Sequence, residues 1–157
     1  MRKTVFLDIL LLVFVVVSPG LASAADKVDW VTLDEGLKKA KAAGKPMIVD
    51  FFYDLSCPRC AMLERNIYGE PKIARKINAD FVAVRIDLTK ELSAGEKELG
   101  EKFDFKNDCL LLFLDPQGNV YKDPKGKKLC FVEDIEPELF IAYLDMVKEK
   151  IAAGQKP

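Results

Sequence analysis

The chain of 157 residues contains no histidine. That removes the usual general base, the usual nitrogen ligand of zinc and any cysteine–histidine protease arrangement. Covalent haem attachment through Cys-x-x-Cys-His is excluded as well, because Ala61 follows Cys60. Charge of one sign is also lacking, with 24 Lys and Arg against 25 Asp and Glu. Neither a nucleic-acid footprint nor a polybasic cluster for anionic lipid is present, so no nucleic-acid partner is expected. There is no internal repeat, no low-complexity tract and no flavin or nicotinamide fingerprint. No uninterrupted apolar run reaches the ~20 residues needed to span a bilayer.

The longest such run, Ile9 to Val17, follows Arg2 and Lys3 and leads into Ser18-Pro19-Gly20-Leu21-Ala22-Ser23-Ala24-Ala25. A basic start, a short apolar centre and small residues at Ala22 and Ala24 predict a cleavable signal peptide over 1–24, with an uncleaved anchor as the alternative, although Asp8 is unusual there. One domain is then expected over 25–157, exported to a periplasmic or secreted location, with no stable membrane span after cleavage. Loss of Arg2, Lys3 and Asp8 changes the formal charge from −1 to −2. All four cysteines fall in the mature part, in a compartment where disulfides persist.

Cys57 and Cys60 are the most informative residues. They follow the apolar, β-prone stretch Met47 to Tyr53 and open a helix-like segment in which Pro58 suits the first helical position. A thiol at a helix N-terminus meets unsatisfied N–H groups and the positive end of the dipole, which favour thiolate. A second thiol three positions on, about one turn deeper, can close a small disulfide ring. The pair therefore points to reversible thiol–disulfide exchange.

Around this motif the pattern predicts alternating elements. Thr32 caps a helix carrying Leu33, Leu37 and Ala40, which Gly44 ends before Pro46. Met47 to Tyr53 reads as a strand buried on both faces, in which Asp50 needs a reason. Helical segments follow with Met62, Leu63 and Ile67, then from Pro71 with Ile73 and Ile77. Phe81 to Asp87 reads as a strand, Ser93-Ala94-Gly95-Glu96 as the capping box of a helix to about Phe103, and Leu110 to Leu114 as a strand before the turn Asp115 to Asn119. A return strand is expected over Val120-Tyr121 and Lys128 to Val132, interrupted by the turn-rich Asp123 to Gly126. A last helix from Pro137 carries the stripe Phe140, Tyr143, Leu144, Val147 and Ile151. Helical crossovers demand parallel strands and the late tight turn an antiparallel pair, so the sheet should be mixed, with helices on both faces.

These residues resemble the thioredoxin superfamily, and in particular the group containing the C-terminal domain of the thiol:disulfide interchange reductase and related small periplasmic proteins. The likeness runs from Trp30-Val31-Thr32 through Gly44-Lys45-Pro46, Val49-Asp50-Phe51, Cys57-Pro58-Arg59-Cys60 and Phe81 to Asp87, to Leu111, Phe113, Asp115 and Gly118. It implies an α/β fold, a thioredoxin-like three-layer α/β/α sandwich with a mixed central sheet. It also implies that Cys57 is the attacking thiolate, Cys60 the resolving thiol, and Asp50 a buried carboxylate that takes the Cys60 proton directly or through water. Asp50 stands seven positions before Cys57, one more than is usual, which requires a loop longer by one residue. The competing reading is that Asp50 only satisfies a backbone group at a strand end.

Other departures concern the neighbours of the thiols. Ser56 replaces the common tryptophan, making a smaller and more polar lip, with Tyr53 and Leu55 bordering it by position. Pro58 and Arg59 separate the thiols; a cation there is expected to lower the Cys57 pKa and make the disulfide more oxidising, against the alternative of a solvent-facing side chain. Asp108 and Cys109 stand where the family has a cis-proline followed by threonine, which reshapes the expected substrate groove. Cys109 and Cys130 have four open readings: a second disulfide joining adjacent strands, Cys109 as a third redox thiol with Cys130 as its relay partner, a metal site of Cys57, Cys60 and Cys109 with one further ligand, or free buried cysteines.

The expected activity is that of an exported protein thiol:disulfide oxidoreductase needing no cofactor beyond the Cys57–Cys60 disulfide and no metal. Its expected partners are disulfide-bearing or dithiol proteins and an electron donor or acceptor of the envelope, met by a monomer. Resemblance to reductases favours that direction, while Arg59 pulls toward oxidant. The alternatives are a non-catalytic binding or scaffold module with structural disulfides, and an envelope metal-binding protein.

Overall fold

A computed structural model describes residues 26–103, 111–122 and 135–154. The first helix, α1 (Leu33–Ala43), starts at a capping box in which the Thr32 hydroxyl accepts from Glu35 N and the Glu35 carboxylate accepts from Thr32 N. It ends at Gly44, whose φ of 62° places it in the left-handed region that glycine tolerates. Strand β1 (Met47–Phe52) follows at once and is central. Beyond the cysteine pair come α2 (Pro58–Leu63), a π-helical turn over Glu64–Tyr68, and α3 (Pro71–Asp80). The remaining elements are β2 (Val82–Asp87), α4 (Ala94–Phe103), β3 (Leu111–Leu114) and α5 (Pro137–Ala152).

The strands lie in the order β2-β1-β3, β1 pairing parallel with β2 and antiparallel with β3. The expected mixed sheet is thus present. Of the expected return strand, the described residues show a bridge from Val120 to Leu114 and a bond from Tyr121 N to Phe113 O; Lys128 to Val132 fall outside them. On the other side, Val31 bridges Val84 and covers part of the β2 edge.

Alternation along β1 divides the core. Met47, Val49 and Phe51 join Val84, Ile86, Leu112 and Leu114 beneath α1 and α4. Ile48 joins Ala83, Leu111 and Phe113 beneath the residues of α2, the π turn, α3 and α5. This makes the three-layer α/β/α sandwich. Helix α1 lies so close to the sheet that a Cβ on Gly36 would collide with Val84 Cγ2. The helix expected through Ile67 is instead interrupted at Glu64, where Gly69 N donates to Glu64 O at 2.9 Å and closes the wider turn. Such a π turn often accompanies a functional site, because it re-aims the side chains that follow.

Candidate active site

The loop from β1 to α2 is built by Asp54. Its Oδ1 accepts from Ser56 N at 2.6 Å and its carbonyl from Cys57 N at 3.4 Å, which turns the chain sharply into the helix. Those bonds hold the Asp54 carboxyl below its ordinary range. Cys57 is the N-cap of α2 and Pro58 its first residue, so the Cys57 sulfur accepts from Cys60 N at 3.3 Å. Cys60 is buried and its Sγ lies 2.7 Å from Cys57 Sγ. Burial, then the bond to Cys57, pushes the Cys60 thiol up, so it holds its proton while Cys57 stands nearer the surface. One accessible and one buried sulfur within reach is the geometry of a dithiol that can open a foreign disulfide and then close on itself.

Tyr53 and Leu55 border this loop and are 54% and 66% exposed. Ser56 and Pro58 are exposed, whereas Arg59 is half-buried. Burial pulls the Arg59 pKa down, and the groups whose charges oppose that pull are Cys57, Cys60, Tyr68 and Asp50. The solvent-facing alternative for Arg59 is therefore not what the fold adopts.

Asp50 is 3% exposed and sits directly across from Arg85 in the parallel pairing of β1 with β2. Arg85 Nε donates to Asp50 Oδ2 at 3.0 Å, and Arg85 NH2 reaches both Asp50 and Glu64. The reading of Asp50 as a partner for a strand-end backbone group gives way to a side-chain ion pair. Burial raises its pKa to about 6; Arg85's charge and hydrogen bond oppose this, Glu64's charge adds to it, and the nearby Tyr68 hydroxyl opposes it. Asp50 hydrogen-bonds Arg85 rather than either sulfur, and Arg59 is the side chain whose charge acts with both sets.

Arg85, Glu64 and Tyr68 were not among the residues singled out from the sequence. Arg85 Cζ lies 4.1 Å from the centroid of Trp30, 4.5 Å from Phe52 and 5.6 Å from Tyr68, an aromatic cage for a cation already shared by two carboxylates. The signal was in the sequence: an arginine within an apolar strand whose neighbour strand carries an aspartate. Glu64 and Tyr68 follow Cys60 at spacings of one and two helical turns, which places them on its face. Among the described residues no three cysteine or carboxylate groups converge as a metal site would need. Asp108, Cys109 and Cys130 lie outside the described residues.

A central strand delivering two thiols to a helix start, in a mixed sheet between two helical layers, defines a thioredoxin-like protein. The thioredoxin-like family matches residues 29–116, and the chain belongs to it. Over 91 residues it is 29% identical to the thiol:disulfide interchange protein DsbD 1 of Pseudomonas aeruginosa, a match covering 58% of this chain and 15% of that protein. The chain therefore corresponds to a small part of that curated relative. Among solved structures, a thioredoxin from Thermus thermophilus superposes with a TM-score of 0.64 at 20% identity, covering 83% of this chain and 94% of the other. The DsbH oxidoreductase gives 0.62 at 15% identity, covering 85% and 92%. These two likenesses concern the fold.

Proposed function

We propose that the chain is an exported protein thiol:disulfide oxidoreductase acting through Cys57-Pro58-Arg59-Cys60, with the reductase direction favoured. The observation that carries this reading is the pair itself, Cys57 as N-cap and Cys60 buried behind it with 2.7 Å between sulfurs. The name of the interchange relative and the match to the thioredoxin-like family support it.

In the forward direction the Cys57 thiolate attacks one sulfur of a partner's disulfide. That bond breaks, a Cys57–partner disulfide forms, and the released partner sulfur takes up a proton. Cys60 then gives its proton to Asp50, directly or through a bridging water, and attacks the Cys57 sulfur. The mixed disulfide breaks, Cys57–Cys60 forms, and the second partner thiol leaves with the proton that Asp50 returns. Two electrons have passed to the partner, and a dithiol protein of the envelope restores them. Asp50, as proton acceptor, works best if its pKa lies near the operating pH, and burial supplies that shift. Residues 1–24 serve as the export signal, and no helix among the described residues is long and apolar enough to cross a membrane.

The test is the reduction potential of Cys57–Cys60 in the full chain, equilibrated against glutathione or dithiothreitol buffers and mapped by alkylation and mass spectrometry. A reversible two-electron transition between roughly −270 and −120 mV, absent in Cys57→Ser, is expected, and its position reports the direction of exchange. A bond closed to well below about −300 mV would mark a structural disulfide and sink the enzyme reading. In Cys60→Ser, the mixed disulfide with a partner should accumulate because nothing resolves it.

A further inference from the structure

Tyr68 is buried between the π turn and the sheet, and its hydroxyl has no partner at full hydrogen-bond geometry, although it lies close enough to the Asp50 carboxyl to favour its charged form. A buried hydroxyl without a partner forfeits the bonds it made to water, so a tyrosine kept at such a place calls for an explanation. A phenylalanine would fill the same volume without that loss.

The surroundings supply one. The Trp30 ring meets Tyr68 edge to face at 4.9 Å, and the Arg85 guanidinium lies 5.6 Å from its ring centroid while holding Asp50. The ring is thereby fixed beside the carboxylate's own counter-ion. The charged and titratable groups around Asp50 are Arg85 from β2, Glu64 and Tyr68 from the π turn, and Arg59 beside the thiols of Cys57 and Cys60. Of the charges acting on Tyr68, that of Asp50 is felt most, ahead of Arg85 and Glu64. Burial and those two carboxylates hold the phenol's pKa well above its ordinary value, so the hydroxyl keeps its proton and can only donate or accept a hydrogen bond.

We propose that the Tyr68 hydroxyl is a positioning group for Asp50, a buried neutral donor that closes onto the carboxylate when Arg85 turns toward Glu64 and so favours its charged, proton-accepting form. Arg85 already reaches both carboxylates, so this exchange needs only a small shift of the guanidinium. The hydroxyl then donates to Asp50 while it is charged and accepts from it once it has taken the Cys60 proton. The inference rests on the reading of Asp50 as proton acceptor.

The test is Tyr68→Phe in the full chain, reduced, with the Asp50 carboxyl followed by infrared spectroscopy on 13C-aspartate-labelled protein and assigned with Asp50→Asn. Removing a donor from a carboxylate should raise the Asp50 midpoint by about one pH unit, and the pH profile of mixed-disulfide resolution should move up with it. An unmoved or lowered midpoint would overturn the role of Tyr68, whatever the activity. A raised midpoint with an unmoved resolution profile would overturn Asp50 as proton acceptor, and with it the positioning role in exchange. Because Tyr68→Phe alters a buried site, difluorotyrosine incorporation gives the opposite perturbation without changing the ring. The more acidic hydroxyl is the stronger donor and should lower the Asp50 midpoint; no change would equally overturn the proposal.

Discussion

Replacing Asp50 by asparagine should stabilise the protein at neutral pH and leave that advantage behind as the pH falls. Asp50 has its pKa raised from 3.8 to about 6, with burial as the first cause. A carboxyl raised in the folded state binds its proton more tightly there than in the unfolded chain. The contribution of Asp50 to wild-type stability therefore falls as pH rises through the interval from 3.8 to about 6, and the full cost persists above it. At 1.36 kcal/mol per unit, a shift of about two units corresponds to about 3 kcal/mol. Asparagine fits the same space and carries no charge, and Arg85 keeps Glu64 as partner. Urea unfolding of reduced wild type and Asp50→Asn at pH 4 and pH 8 gives the comparison. The stability difference between the two proteins should grow in favour of the variant by about 2–3 kcal/mol from the lower to the higher pH. Using this double difference cancels the constant cost of changing the side chain. A difference that stays flat across the interval would refute the raised pKa, and one that shrinks would reverse its sign.

Arg85→Met should cost about 3 kcal/mol at pH 8, because two carboxylates then lose a shared counter-ion, and less at pH 5, where Asp50 is neutral. Arg85→Lys should recover part of it, since it keeps the charge but not the flat stacking on Trp30 and Phe52; urea midpoints at both pH values decide this. Gly36→Ala should cost about 1–3 kcal/mol by forcing α1 away from Val84, and a double-mutant cycle with Val84→Ala should show strong coupling. Thr32→Ala removes one half of the α1 capping box and should lower stability by about 1 kcal/mol, measured by thermal or urea unfolding.

The order of the elements was legible because each rule involved is local. Thr32 and Glu35 cap α1, Gly44 stops it, Pro58 and Pro71 open helices, and the apolar run of β1 needs a covered central position. The interruption at Glu64 was not legible, because the apolar spacing through Leu63 and Ile67 suits an α-helix and a π turn alike, and Gly69 after the turn reads as an ordinary stop. At the site, spacing alone was enough to place Cys57 and Cys60. Their environment depends on which strands are neighbours and in what register, so Arg85 emerged only when β2 was laid beside β1. Arg59 is instructive in the same way: position in a short helix gives its place beside the cysteines, but the burial that pulls its pKa down is tertiary.

The same register explains why Asp50 can be tolerated in a central strand. Two strands paired one residue out of step would carry Asp50 and Arg85 to different partners, and the carboxylate would face Ile48, Leu111 and Phe113 uncompensated. In the actual register the pair forms across adjacent strands, the cation is stacked on Trp30 and Phe52, and Glu64 accepts from the Nη2 that also reaches Asp50. The compensation is partial, since burial still outweighs Arg85 and leaves the pKa at about 6. A fully compensated carboxylate would be too weak a base to take a proton from a buried thiol, and an uncompensated one would stay protonated through neutral pH. On the proposed reading, the stability given up above pH 6 and the ability to accept the Cys60 proton are one property of one side chain, so substitutions that recover the stability should slow resolution of the mixed disulfide in step.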